Sequence, residues 1–293
     1  MFNTLAGRFG GFAGTGGASH REYRFILLGG YGNGTPGGAV GGGTDYTIST
    51  QSSASPITLL YRQVTSPEGE HADSRPATKG GHGAFISTAS SRPQVTVSSV
   101  IAAVGGAGGN GRSPSVPSRV GGAGGGSVGA DGNGNPNSGG GQSSGGVGDR
   151  PTNPGDRQLG HSGGFLSAGG GGYNQHNPVE QGGSGGGGFY GGAGGNARGM
   201  HHRSPAGGGG SGHVNTTTDL YVTGSTTQGG RPSLGPSVGQ PNSGTTAYIY
   251  VTSAPIAEGT SGPVGSKTWT NLNVDDTDKF ITLDIETGEF TLS

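Results

Sequence analysis

Three glycines stand at the spacing of a dinucleotide-binding fingerprint. Gly106, Gly108 and Gly111 follow the β-type run PQVTVSSVIAAV, and Asp131 lies where an acid that binds ribose is expected. That chemistry requires the third glycine to open a helix whose N-terminus holds the pyrophosphate. The residues that follow, RSPSVPSRV, are interrupted by prolines and cannot form the helix. We therefore interpret the motif as a chance match in a glycine-rich chain.

Two further patterns match ligand-binding loops only in part. The sequence GSKT at residues 265–268 lacks the glycine that precedes the lysine of a phosphate-binding loop. Asp131, Asn133 and Asn135 occupy the first ligand positions of a calcium loop. Pro136 stands where that loop needs glycine, and the final glutamate is missing. We predict turns at both places and no cofactor.

The histidines do not form a catalytic or metal-binding pattern. His201 and His202 are adjacent, and His161 and His176 lie in other predicted loops, with no spacing typical of metal ligands. Neither a Ser/His/Asp set nor a carboxylate pair can be recognised. The chain has no cysteine, which excludes disulfides and thiolate metal sites. The sequence therefore predicts a protein that is not an enzyme and that holds no metal.

The predicted loops do carry side chains suited to binding. Aromatic faces beside amide groups can stack on sugars or dock on a surface protein. An alternative for Phe189 and Tyr190 is that they only cap the glycine-rich part. The candidate receptor-binding residues are Tyr173, Asn174, Gln175, His176, Phe189, Tyr190, His201, His202 and Arg203.

Glycine dominates the middle of the chain that must position these loops. The sequence has 72 glycines among 293 residues, and blocks of consecutive glycines run between residues 105 and 212. Collagen is excluded because glycine does not recur at every third position. Disorder is one interpretation of this composition. The other is a bundle of polyglycine II helices, with three residues per turn, whose bare backbones bond to neighbouring helices.

Strand-like runs flank the glycine blocks on both sides. EYRFILL, SPITLLYRQVTS and PQVTVSSVIAAV precede them, and TTAYIYVTSA and KFITLDIETGEFTLS follow, with a predicted hairpin turn at residues 286–288. We predict an all-β protein in which both chain ends form one small antiparallel β-sandwich and a polyglycine II bundle projects from it. The predicted parts are an anchor peptide at residues 1–21, β-rich parts at 22–104 and 215–293, and the bundle at 105–214.

The first residues read as an anchor for assembly. Phe2, Leu5, Phe9 and Phe12 stand in a glycine-rich setting and could dock on another protein or tuck under the chain's own sheet. No apolar stretch there resembles a secretory signal or a membrane span. A net charge of −1 and a pI near 6.7 argue against nucleic acid as a partner. We expect neither nucleic-acid binding nor membrane insertion.

The motifs resemble a known family. GGSGGGGFYGGAGGN at residues 182–196, the strand-then-glycine run FILLGGYGNG, VIAAVGGAGGNG and AGGGGSGHV are similar to the glycine-rich domains of bacteriophage tail and fibre-tip adhesins. The glycine-rich domain of the anaplastic lymphoma kinase receptor has a similar texture. The resemblance covers roughly residues 22–214. It implies a polyglycine II bundle packed on β-structure, with loops at its tip that recognise a host receptor.

The predicted function is a bacteriophage virion protein on the particle exterior, at a tail tip or fibre end. The expected partners are other virion proteins, such as a trimeric fibre or a tail or capsid protein, and a host surface protein or glycan. A homotrimer of this chain is also compatible with a place in a fibre. Assembly would take place in the host cytoplasm. Two alternatives stay open: an architectural capsid spike, decoration or fibre subunit, and a self-assembling extracellular matrix or filament protein.

Overall fold

The structure is a computed structural model. It describes residues 21–32, 39–50, 56–67, 79–112, 119–148, 160–172, 181–197, 205–217, 220, 222–230, 244–252, 256–257, 269–284 and 289–293. Within these ranges the chain forms β-strands and a short 3₁₀ turn at Arg92–Gln94, with no α-helix. The strands are β1 Arg21–Leu28, β2 Gly43–Thr50, β3 Ile57–Val64, β4 Gly83–Ser87, β5 Val100–Val104, β6 His213–Val214, β7 Val222–Thr227, β8 Tyr248–Thr252, β9 Ile256–Ala257, β10 Trp269–Asn271, β11 Lys279–Leu283 and β12 Phe290–Leu292.

The strands form two antiparallel sheets. The first has the order β10, β8, β1, β2, β7, with β9 also paired to β1. The second has the order β12, β11, β3, β4, β5, β6. Each sheet combines strands from before and after the glycine-rich middle, since β8 pairs with β1 and β11 pairs with β3. The two ends of the chain therefore build one unit.

The two sheets share a hydrophobic core. Alternate residues of β1, namely Tyr23, Phe25 and Leu27, face this core, because side chains of a strand point to opposite faces in turn. From the other sheet, Leu59 and Ile86 belong to the same cluster and are fully buried. The predicted all-β class is confirmed, with the sheets packed as a sandwich. We call this sandwich the base.

One predicted strand is shorter than its sequence suggests. The run PQVTVSSVIAAV was expected to be β-structure throughout, but β5 begins only at Val100. The preceding residues bond locally instead. The Ser99 hydroxyl accepts the N–H of Thr96 at 2.9 Å and donates to the Thr96 carbonyl at 3.0 Å. Such side-chain bonds compete with a strand ladder, which is why the β-branched residues here form a turn.

Several strands of the base continue directly into glycine segments. Residues 29–32 follow β1, residues 39–42 precede β2, residues 79–82 precede β4 and residues 105–111 follow β5. These segments bond to one another. The N–H of Gly29 donates to the Gly42 carbonyl at 2.9 Å, and that of Gly42 donates to the Gly105 carbonyl at 2.8 Å. Together with residues 119–212 as far as they are described, and 244–247, we call them the glycine array.

Backbone hydrogen bonds within the glycine array recur every three residues. Successive N–H groups of one segment donate in turn to three different neighbours, and the fourth N–H returns to the first neighbour. The bonds are, in order, Gly207 to Gly109, Gly208 to Ala193, Gly209 to Ala130, Gly210 to Gly106 and Ser211 to Tyr190, at 2.9 to 3.0 Å. Each segment is therefore surrounded by others. A flat sheet would offer neighbours on two sides only.

A second segment shows the same period. The N–H of Gly106 donates to Gly187, and that of Gly109 donates to Ser184. The residue number of the acceptor thus decreases by three when that of the donor increases by three. This pair of segments is antiparallel. By contrast, Gly183 donates to Pro205 and Gly186 to Gly208, which makes residues 181–188 and 205–212 parallel. Both directions occur because every segment has bonding groups on all sides.

The array leaves no space for side chains at most positions. A Cβ atom placed on Gly192 would lie 2.1 Å from the carbonyl oxygen of Gly208, and one on Gly207 would lie 2.0 Å from that of Ser184. Real Cβ atoms do not approach backbone atoms so closely. Glycine is thus required by the distance between neighbouring backbones. The constraint is not uniform, since a Cβ on Gly170 would have its nearest neighbour at 3.7 Å.

We predict that Gly192→Ala destabilises the protein by about 3 kcal/mol, because the methyl group forces a backbone apart. Gly170→Ala is the matched control and should change the free energy of unfolding by less than about 1 kcal/mol. Denaturant unfolding of both variants measures this. Equal effects of the two substitutions would contradict the packing described.

Candidate functional site

The glycine array has one end at the base and one end away from it. Segment 105–111 leaves β5, and segment 205–212 returns to β6, so residues near 112 and 205 lie far from the sandwich. Contacts between segments mark this distal end. Arg112 pairs with Gln181, and the N–H of Gly172 donates to the Gly195 carbonyl at 2.9 Å. We call the described residues 111–112, 119, 131–138, 148, 160, 172, 181, 195–197 and 205–206 the distal end.

Most of the predicted receptor-binding residues lie outside the described ranges. They are Tyr173, Asn174, Gln175, His176, His201, His202 and Arg203. The described residues on either side of them belong to the distal end: Gly172 and Gln181 for the first group, Ala197 and Pro205 for the second. The anchor candidates Phe2, Leu5, Phe9 and Phe12 are also outside the described ranges.

Phe189 and Tyr190 are at the opposite end of the array from the distal end. Phe189 is only 1% exposed and packs with Leu60 and Phe85 on the outer face of the second sheet. Tyr190 lies partly buried against the same cluster. The proposal that Phe189 meets a receptor is therefore corrected, because its ring is part of the core that joins the array to the base. The alternative role, capping the glycine-rich part, fits both residues.

The calcium-like sequence at the distal end forms a turn. The Asp131 carboxylate accepts the N–H groups of Asn137 at 3.0 Å and Gly139 at 2.9 Å. Asn135 is fully buried, and its amide nitrogen donates to the carbonyls of Gly194 and Ala206. These bonds engage both carboxylate oxygens of Asp131 and the amide nitrogen of Asn135 with backbone groups. Among the described residues, no group of three or more His, Cys, Asp or Glu could hold a metal ion.

Side-chain oxygens complete the backbone bonding at several places in the array. The amide oxygen of Asn196 accepts the N–H of Gly160 at 2.6 Å, and that of Asn110 accepts the N–H of Gly121 at 3.0 Å. The Ser138 hydroxyl accepts the N–H of Gly132 at 2.9 Å. The few polar residues inside the array thus have a structural task. A buried N–H without a partner would cost about 1–3 kcal/mol.

The glycines of the nucleotide-like motif have their N–H groups occupied. Gly106, Gly108 and Gly111 donate to the carbonyls of Gly187, Gly122 and Arg119, at 2.7 to 2.9 Å. A phosphate cradle needs free N–H groups that point at the ligand. The arrangement therefore agrees with a chance match. The GSKT sequence at residues 265–268 lies outside the described ranges.

Gly134 and Arg119 pack against each other in a turn at the distal end. Gly134 has a φ of 76°, in the left-handed region that favours glycine. The guanidinium of Arg119 occupies the space beside it, since an added Cβ would lie 1.3 Å from its Nη1 atom. Glycine at position 134 therefore leaves room for the Arg119 side chain to pack across the turn.

His213 was not singled out from the sequence. It begins β6, where the array returns to the base, and its ring stacks on Phe189 with 3.8 Å between the ring centroids. Its Nδ1 lies 3.0 Å from the amide oxygen of Gln142. Burial lowers the pKa of His213 to about 4. The only signal in the sequence is its place between a glycine block and a strand-like residue, which does not reveal the stacking partner.

Comparisons with protein families, with curated proteins and with solved structures returned no match. Among the described residues, no helix has the length and apolar character needed to cross a membrane. The array, its distal end and the base are the features of the molecule that bear on its function.

We predict that acid weakens the fold through His213. The folded pKa is below the ordinary value of 6.5, so the neutral ring stabilises the fold fully above pH 6.5, and this contribution is lost as the pH falls towards 4. The thermal midpoint of the wild type should fall more between pH 7.5 and pH 4.5 than that of His213→Gln. An equal fall in both proteins would show that this histidine does not titrate as described.

Proposed function

We propose that this chain is a structural protein on the exterior of a bacteriophage particle, a tail-tip or fibre-end adhesin. In this proposal the glycine array is a polyglycine II bundle that stands on the base. The chain segments that connect at the distal end bind a receptor on the host surface, either a protein or a glycan. Partners in the particle are other virion proteins, and residues 1–21 supply the attachment.

The three-residue period of backbone bonding carries the proposal. A helix with three residues per turn and no internal bonds must satisfy its N–H and carbonyl groups on neighbours arranged around it. Along residues 207–211, successive N–H groups donate to three different neighbouring segments in turn, as such a helix requires. Such an array needs few side chains for its stability, so the connections at its end can vary in sequence without loss of the fold. Variable connections on a constant support suit recognition.

The position of the connections supports the same function. The described residues that flank 113–118, 173–180 and 198–204 all belong to the distal end. The base, with its hydrophobic core, is at the other end and is available for assembly with partners. This separation of attachment from recognition is what an adhesin at the end of a fibre requires.

An architectural role is the second candidate, and one observation favours it. Backbone N–H groups throughout the array donate to carbonyls of other described residues of the chain, at N···O distances between 2.7 and 3.2 Å. A capsid spike, a decoration protein or a fibre subunit would use this rigidity alone. In that case the connections would be irrelevant to adsorption.

We predict that particles lose adsorption when residues 173–180 and 198–204 are replaced by Gly-Ser linkers of equal length. Adsorption to host cells should fall at least tenfold, an effect of about 1.4 kcal/mol or more. The thermal midpoint of the purified chain should stay unchanged, because the array and the core are intact.

The matched control replaces residues 285–288, which connect β11 to β12 at the base, where Asp284 donates its N–H to the Glu289 carbonyl. This variant should adsorb normally. Particles that incorporate the distal replacements and still adsorb at the wild-type rate would overturn the adhesin proposal and favour the architectural one.

A further inference from the structure

A cleft opens on the base, beside the β5–β6 edge of the second sheet. Its volume is about 960 Å³, within the range of about 300–1,000 Å³ that is usual for ligand pockets. One wall is the turn that precedes β5, and the other is the chain that follows β6. The polar side chains that line it are Thr88, Thr96, Ser98, His213, Asn215 and Thr217.

The two walls are held together by Asn215. Its amide nitrogen donates to the Ser98 carbonyl at 3.1 Å on one wall. Its amide oxygen accepts from Thr217 on the other, from the N–H at 3.0 Å and from the hydroxyl at 2.7 Å. The cleft is thus formed before any ligand arrives, which lowers the cost of ordering groups on binding.

His213 lines the cleft and keeps one ring nitrogen as a hydrogen-bond acceptor. Gln142 uses its amide nitrogen to donate to the carbonyls of Ser127 and Gly212, so its oxygen faces His213. The Nδ1 atom of His213 must then carry the proton, and Nε2 keeps its lone pair. Burial holds the pKa of the ring at about 4, so this acceptor persists at neutral pH.

The hydroxyl groups add donors and acceptors. The Thr96 and Ser98 hydroxyls lie 3.1 Å apart, and a single proton makes that bond, which leaves the other hydroxyl proton free for a ligand. Among the described residues that line the cleft there is no Asp, Glu, Lys or Arg. These lining residues give a charged ligand no ion pair, whereas they give a neutral ligand rich in hydroxyl groups several hydrogen-bonding partners.

We propose that this cleft binds a neutral saccharide. The site lies on the base and uses none of the distal connections, so it is independent of the adhesin proposal. Hydroxyl and imidazole groups on preformed walls match the hydrogen-bond donors and acceptors of a sugar ring.

The experiment is ligand-observed NMR on the full chain. The neutral probes are glucose, galactose, mannose, N-acetylglucosamine, lactose, cellobiose and maltose, and the charged probes are glucuronic acid and N-acetylneuraminic acid. At least one neutral probe should bind. Thr88→Arg places a long cationic side chain at the exposed rim and should weaken that binding at least tenfold. Thr291→Arg, on exposed β12, is the matched control and should bind as the wild type does.

Three results would overturn the proposal: no neutral probe binds, Thr88→Arg binds as well as the wild type, or the charged probes bind more tightly than the neutral ones. The chain with linkers at residues 173–180 and 198–204 separates this site from the adhesin function. Its saccharide binding should equal that of the wild type, whatever happens to adsorption.

Discussion

Close contact between bare backbones is the constraint on which the structure depends. Where a carbonyl oxygen of one segment lies about 2 Å from the ideal Cβ position of another, as Gly208 does for Gly192, only glycine can be accommodated. The same proximity lets N–H groups of one segment reach the carbonyls of its neighbours. Hydrogen bonding and the exclusion of side chains are therefore two results of one geometry, and both explain the composition of the chain.

The base is needed to order the first residues of the glycine segments. Isolated extended glycine segments bury little apolar surface and lose much conformational entropy on ordering. Here β1 and β5 run from the hydrophobic core into residues 29–32 and 105–111 without a break. The antiparallel sheets fix where these segments start and how far apart they stand. Phe189 and His213 stack at this junction and give the array an apolar contact with the second sheet.

The sequence predicts some features well because their causes are local. Alternation of apolar residues in EYRFILL is enough to place β1, and the strand-like runs at both chain ends indicate a shared sandwich. The glycine blocks indicate backbones packed side by side, because the absence of side chains can be read directly from the sequence. Phe189 could not be placed in this way, because an aromatic pair between glycine blocks reads equally well as a loop tip or as a cap. The turn before Val100 could not be predicted from the β-branched run, because serine hydroxyls there compete with the strand ladder. The cleft around Asn215 could not be predicted either, since it depends on a contact across more than a hundred residues.

The most direct test of the account is amide hydrogen exchange, measured residue by residue by NMR. Residues 207–211 are consecutive, and each N–H donates to a carbonyl in a buried segment. We predict that all five exchange slowly, close to the rate set by global unfolding. Exchange at the rate of an unstructured chain would contradict the account. So would protection of every second amide only, because that pattern belongs to a strand at the edge of a sheet.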